Sequence, residues 1–420
     1  MTQETSPPSS TLPASSIGKG DWIENFLAAT KDVNSPEIFR RWAAISTLSG
    51  ALERRTYTYF GSGKVYPNTF VVLVAPPRVG KTQALKQVTH LWRSTKVLHV
   101  APDSISSAAL IDCLESTYRA LPVVQTGEVL EYHSLQICQD EMGVLLPEYA
   151  PGTLSLVSAL YDCKERFTEE KRTNKLKKDI INPIISVAVG ATPGYLKDTL
   201  PEVAWDQGFM ARMIIIYQKE GPNYSIRGKF KRPRQLGLFP SEMKDYLKEL
   251  CDLVGAFQWS EEAEEAIARW HEQGFAPAPT HPRLANYCNE RMIHVMKLSM
   301  ISSISRGTSL RITLKDFERA RAWMIEAEGT MPDVFAAMGG KGDKNIILDL
   351  HQFLLNIQKR SGTPRVRDQL MYHHLSGQVQ SERIPKLVEQ ASRMGLLKIV
   401  PPNFVEVLEP SGTVYKEMEE

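Results

Sequence analysis

Residues 71–85, VVLVAPPRVGKTQAL, carry an apolar run into a Pro-Pro bend and then present Gly80, Lys81 and Thr82 at the start of a segment with helical periodicity. Strand, tight turn, helix is a layout that holds phosphate. Successive backbone N–H groups cradle the β- and γ-phosphates, a lysine adds a point charge, and a hydroxyl ligates Mg²⁺. The segment fits A/G-x4-G-K-T, so Ala75, Pro76, Pro77, Arg78, Val79, Gly80, Lys81 and Thr82 are predicted to form a nucleotide cradle for ATP and Mg²⁺. A second stretch, LQICQDE, delivers Asp140 and Glu141 to the C-terminal edge of an apolar strand. An Asp-Glu pair also suits a helix start, where it favours the dipole. Following a P-loop in this order, the catalytic role is preferred: Asp140 joins Thr82 in orienting Mg²⁺, and Glu141 polarises the attacking water.

Two further strands end in polar residues. In SVAVGATPGYL, Thr192 either holds the hydrolytic water or caps a following helix. In WDQGFMARMIIIY, Arg212 enters a core strand, which suits a salt bridge or, in a ring ATPase, an arginine that neutralises transition-state charge in the neighbouring subunit's site.

The elements that must position these residues alternate as α/β. Residues 1–20 are Ser-, Thr- and Pro-rich and predict disorder. A helical leader over 21–60 contains a helix capped by Ser35 with Pro36 at its first position. The ATPase core is expected over 61–220 and a helical lid over 221–338. RRTYTYF and NTFVVLVA read as strands around GSGK, a turn that lacks the P-loop spacing. A helix reaches about Arg93, KVLHVA reads as a strand, a helix covers about 106–118, and extended segments turn at Thr126-Gly127. A helix over 153–164, the basic stretch EEKRTNKLKK and the strands IISVAVG and RMIIIY complete the core; 260–337 has helical period throughout. After glycines 339, 340 and 342, residues 344–409 give three helices, beginning at KNIILDLHQFLLNIQKR, RVRDQLMYHHL and SERIPKLVEQASRMG, then the hairpin LLKIV/FVEVL, the order of a winged helix; 410–420 is an acidic tail.

Composition narrows the class. The chain has 420 residues, enough for two or three domains, and no run near the roughly 18 apolar residues of a membrane helix. With no basic-then-apolar leader it is expected to be cytoplasmic and to have no membrane partner. The five cysteines lack any CxxC pair, so zinc and disulfides are not expected, and His373-His374 has no ligand set beside it. A net charge of +2 leaves any nucleic-acid binding to local patches.

The order APPRVGKT, ICQDE, GATP, GFMAR and NERMIHVMKLSMISSIS resembles the AAA+ core of ring helicases, closest to the minichromosome-maintenance and superfamily 3 branch, over roughly residues 20–330. It also resembles a domain of phage and plasmid primase-helicase proteins, in which a helical leader ending in YPN and a GF-x-x-R element recur, as Tyr66-Pro67-Asn68 and Gly208–Arg212 do here. Ala-Thr-Pro at 191–193 replaces the minichromosome family's Ala-Asn-Pro, and Met213-Ile214 its Phe-Asp. The resemblance implies an α/β P-loop AAA+ core with a helical lid, Thr192 as sensor 1 and Arg212 as arginine finger. It implies Arg291 as a sensor 2 arginine reaching the γ-phosphate, the other reading being a solvent-facing lid arginine. A hairpin between the Asp140 strand and the Thr192 strand would enter a central pore, where Lys171, Arg172, Lys175, Lys177 and Lys178 meet single-stranded DNA; a solvated basic loop is the other reading. A second basic cluster, Arg227, Lys229, Lys231, Arg232 and Arg234, precedes the lid.

The function so implied is an ATP-dependent, ring-forming DNA helicase, expected as a hexamer acting on single-stranded and forked DNA. It would be replicative, of phage or mobile-element origin, acting in a bacterial host cytoplasm with a separate primase or loader. The alternative is an AAA+ loader or remodelling ATPase that uses ATP as an assembly switch without unwinding.

Overall fold

In the computed structural model the described residues are 20–123, 127–146, 151–170, 177–200, 208–222, 239–338, 343–363, 365–376, 379 and 383–408. The chain divides into two compact units, Met1–Met338 and Gly339–Glu420, each mixed α/β in the first case and helix-plus-small-sheet in the second. No helix among the described residues is long and apolar enough to cross a membrane.

The first unit is built around Phe70–Val74 (β3), five apolar residues in a row, all buried. A strand with no polar alternation must be covered on both faces, and so lies in the middle of a parallel sheet. α1 (Trp22–Ala29), α2 (Glu37–Leu52), β1 (Thr56–Phe60) and β2 (Gly63–Val65) precede it. α3 (Lys81–Thr95), α4 (Ser107–Glu115), β4 (Tyr118–Val123) and β5 (Glu128–Gln139) follow. Then come α5 (Met142–Leu145), α6 (Pro151–Tyr161), the antiparallel hairpin β6 (Arg166–Glu170) and β7 (Lys177–Ile181), β8 (Pro183–Ala191), α7 (Pro193–Thr199), α8 (Gly208–Ala211) and β9 (Met213–Tyr217).

The five-stranded sheet has the order β4-β5-β8-β3-β9, parallel except for β4 at the edge. Val74 lies opposite Ala191, and Gln139 opposite Val189, so β3, β8 and β5 all end at one edge. Their next residues are Ala75, Thr192 and Asp140. β5 and β8 press together there: a Cβ on Gly190 would collide with the carbonyl oxygen of Asp140.

Several local expectations shift. α2 begins at Glu37 with Pro36, still extended, as its cap, and the Ser35 hydroxyl makes no capping bond. The helix expected to reach 118 stops at Glu115, and Tyr118–Val123 pairs with β5 instead. KVLHVA contributes one parallel bridge, Val100 to Gln136, because the edge beside β5 is shared with β4.

The helical part comprises α9 (Ser241–Leu250), α10 (Glu261–Glu272), α11 (Ala285–Arg306) and α12 (Leu314–Met338), with two-residue parallel pairings of β10 (Gly255–Ala256) to β1 and of β11 (Gln258–Trp259) to β12 (Arg311–Ile312). α11 is buried over nearly its whole second half, packed on α12 and α2, and α12 packs on β9.

The second unit orders as α13 (Asp343–Ser361), β13 (Arg365–Arg367), α14 (Asp368–Ser376), α15 (Ile384–Arg393), β14 (Leu397–Val400) and β15 (Phe404–Val407), with the antiparallel sheet β13-β15-β14. Its core gathers Ile384, Leu387, Val388 and Ala391 from one face of α15 with Leu350, Leu354, Met371 and Val405. Arg365–Arg367, expected as the start of a helix, is a strand in which buried Val366 alternates with two exposed arginines. Three residues are too few for that alternation to stand out from a helical pattern.

The press of Gly190 on Asp140 gives a stability test. Gly190→Ala should lower stability by about 1–3 kcal/mol through overpacking, while Gly194→Ala, with nothing near its added methyl, should not. Urea midpoints measure both; equal midpoints would show that the two strands do not meet closely at this point.

Candidate functional site

Between β3 and α3 the chain turns through Arg78 at φ 68° and Gly80 at φ 109°. Both are left-handed conformations, which only glycine adopts without strain. Gly80 is needed for a second reason. Its missing Cβ leaves room for the backbone of Asn34 and Ser35, in the connection between α1 and α2, which lies directly against the loop. Sequence patterns give no sign of this contact, since nothing local links residue 34 to residue 80.

The buried Lys81 ammonium donates to the carbonyls of Ala75 (2.6 Å) and Pro76 (3.2 Å), folding back across the loop. Burial lowers its pKa, with the Glu141 carboxylate acting in the opposite sense. The two residues are thus within electrostatic reach although sixty positions separate them. Thr82 follows in the first turn of α3.

Asp140 and Glu141 stand just past β5 on the same sheet edge, and both are exposed. Partial desolvation beside the protein lifts the Asp140 pKa above its ordinary value, with Lys86 pulling it down and Asp103 pushing it up. A cleft of about 720 Å³ opens beside them, lined by Lys86, His90, Arg93 and Asp103 among others. The described residues contain no group of three or more His, Cys, Asp or Glu side chains placed to hold a metal. The Thr82 hydroxyl and the Asp140 carboxylate are hard oxygen donors. They suit Mg²⁺, which keeps several waters and takes its other ligands from phosphate.

Thr192 stands one residue beyond the bond from the Ala75 N–H to the Ala191 carbonyl (3.2 Å), next to the loop. It also caps α7, its hydroxyl oxygen accepting from the Tyr195 N–H at 3.2 Å. The two readings are compatible in one hydroxyl, because an oxygen that accepts at a cap still has its own proton to donate.

Arg212 lies at the other end of the sheet. It precedes Met213, which pairs with Phe70, so the five residues of β9 separate it from the P-loop edge, roughly 16 Å at strand rise. Its guanidinium forms a bidentate pair with Asp162 (2.8 and 2.9 Å) and donates to Gly208 O (2.6 Å). Burial works against its charge, and Asp162, with Glu290 and Tyr161, more than offsets that, raising the pKa.

Arg291 is not solvent-facing. Its side chain is fully buried in the helical part, bidentate to Glu328 (2.7 and 2.8 Å), bonded to the carbonyls of Phe275 and Pro277, and held over the Trp270 ring. Each of its three nitrogens has a partner there. Reaching a γ-phosphate would mean leaving a buried carboxylate unpaired, which is costly.

Of the predicted pore cations, Lys171, Arg172 and Lys175 lie outside the described residues, as do Arg227, Lys229, Lys231, Arg232 and Arg234. Lys177 opens β7. Lys178 pairs with Asp112 and with Glu115 (2.6 Å), both on α4. These partners raise its pKa. Two carboxylates make it the anchor of the hairpin on α4, a pairing that residues 63 positions apart do not reveal in sequence.

Neither a protein-family model nor a curated protein matches this chain.

The anchor has a direct consequence. Lys178→Ala should speed amide hydrogen exchange several-fold over Arg166–Thr168 and Asp179–Ile181 while leaving the exchange of β3 unchanged. Unchanged exchange in the hairpin would mean the two ion pairs do not hold it.

Proposed function

We propose that this chain is a ring-forming P-loop ATPase of the AAA+ kind that works as a DNA helicase, on single-stranded and forked DNA, as a homo-hexamer. The observation that carries the reading is the alignment of β3, β8 and β5, which brings the P-loop, Thr192 and the Asp140-Glu141 pair to one sheet edge. ATP would bind with its phosphates on Ala75–Thr82 and with Mg²⁺ between Thr82 and Asp140. Lys81 would exchange two loop carbonyls for phosphate oxygens, a stronger, charge-assisted partner. Glu141, exposed and near Lys81, would activate water, and Thr192 would orient it.

β8 lies between the P-loop strand and the Asp140 strand. That order sets the acidic pair one strand away from the cradle, leaving space for a water in line with the terminal phosphate. Arg212 is too far from its own P-loop to assist there, which supports a role in the adjoining subunit's site. The second unit, with its α-β-α-α-β-β order, supports a winged-helix reading, and its small sheet displays exposed Arg365 and Lys398 on either side of Glu406, with exposed Arg367 opposite Phe404. A phage or mobile-element replicative role, with a separate primase or loader, follows from the family resemblance alone.

One observation favours the second reading, a loader or remodelling switch. Lys178 is committed to two carboxylates, so the hairpin's grip on a strand rests on Lys171, Arg172, Lys175 and Lys177.

Glu141→Gln should retain ATP binding and lose turnover by about 10²-fold or more; Lys81→Ala should lose ATP binding itself. Equilibrium binding of ATP with Mg²⁺ and steady-state phosphate release separate the two effects. Wild-type turnover in Glu141→Gln would remove the acidic pair from the mechanism.

A further inference from the structure

At the end of the sheet opposite the P-loop, a set of buried polar side chains has no part in the chemistry proposed above. α11 presents Glu290, His294 and Lys297 at spacings of four and three residues, which puts them on one helix face. His294 Nε2 donates to the carbonyl of Ala211 at 2.9 Å, and its Nδ1 lies 3.4 Å from the Tyr161 hydroxyl. Burial drives the His294 pKa down to about 4, against the pull of the Ala211 carbonyl. A neutral ring that donates through Nε2 keeps Nδ1 as an acceptor, which suits the tyrosine hydroxyl.

Lys297 donates to the backbone oxygen (3.0 Å) and side-chain oxygen (2.8 Å) of Asn68 and sits 3.6 Å from the centre of the Tyr161 ring. Asn68, two residues before β3, donates in turn to the carbonyls of Tyr161 (3.1 Å) and Ile185 (3.3 Å). Tyr161 ends α6, and the next residue is Asp162, the bidentate partner of Arg212. Glu290 adds its negative charge near the same guanidinium.

Arg212 is therefore held twice. Its backbone is fixed through Ala211 by a helix of the lid, and its guanidinium is aimed by the residue that follows α6. We propose that Asp162 and His294 are positioning residues for Arg212, so that the placement of α11 sets where that guanidinium stands in the adjoining subunit's site. The inference rests on the reading of Arg212 as acting between subunits. Its physical basis is that His294 and Lys297, both buried and hydrogen-bonded to Ala211 and Asn68, have few alternative arrangements, so a shift of α11 carries Ala211 with it. A misplacement of about 1 Å at a reacting centre costs on the order of 10²-fold in rate.

Mixed rings of the full-length chain test it. Lys81→Ala subunits keep Arg212 and lack the phosphate site, while Arg212→Ala subunits have the reverse defect. Mixing them should restore hydrolysis at interfaces that join the two intact halves. Adding Asp162→Asn to the Lys81→Ala subunit should cut the restored turnover on the order of 10²-fold with KM for ATP unchanged; adding it to the Arg212→Ala subunit should cost nothing further. His294→Ala should follow the same asymmetry, and His294→Gln, which keeps a donor toward Ala211, should recover part of the loss. Equal loss in either subunit, or no loss in either, would overturn the positioning role. If the unmodified pair restores no hydrolysis in rings shown to be mixed, the between-subunit reading of Arg212 fails, and this inference with it.

Discussion

The parallel register of β3, β8 and β5 is the constraint on which the candidate site depends. β3 is apolar at every position and buried on both faces, so slipping it by one residue would not turn an apolar face to water as it would in an amphipathic strand. What locks its level is the polar base of the sheet. Asn68 bonds to Ile185 on β8 and to Tyr161, and the Thr69 N–H donates to the Ser49 hydroxyl at 3.0 Å. Fixing the base fixes the far edge, because β3 and β8 are rigid over their five and nine residues. The two ends of one sheet thus divide the work: the loop edge gathers the proposed phosphate chemistry, and the base ties α11 to Ala211, the residue before Arg212.

The loop edge is shaped by two places where backbone meets backbone. Gly190 gives way to the Asp140 carbonyl, and Gly80 gives way to Asn34 and Ser35. The first draws the acidic pair against the strand of Thr192. The second fastens the helical leader to the P-loop, so α1 and α2 belong to the same folded unit as the sheet and not to a detachable arm. Both contacts depend on a missing side chain, and a methyl at either would have to displace main chain.

What could be read in the sequence was what short stretches encode. The valine run with Gly-Lys-Thr after it, the ICQDE strand end and the Ile-Ile-Ile strand after Arg212 each carry their own period and boundary signals, and each lies in the core sheet at the predicted place. What could not be read was pairing at a distance. Arg291 read as a sensor 2 arginine or a solvent-facing one, and Glu328, thirty-seven residues on, takes two of its three nitrogens. Lys178 belonged to a run of cations read as a pore hairpin or a solvated basic loop, and α4 supplies two carboxylates for it. The helix read to about Tyr118 stops at Glu115, because β5 extends past the parallel sheet and its N-terminal half pairs with the strand that begins at Tyr118. In each case the deciding partner lies in another element, which local propensity does not register.

The measurement that bears most directly on the central claim is strand displacement on a forked DNA duplex by the full-length chain, followed with and without ATP and Mg²⁺. The motor reading predicts separation of the strands that requires both and stops when ATP is replaced by a non-hydrolysable analogue. Vigorous ATP hydrolysis with ring assembly on the fork, but no separation of its strands, would contradict it.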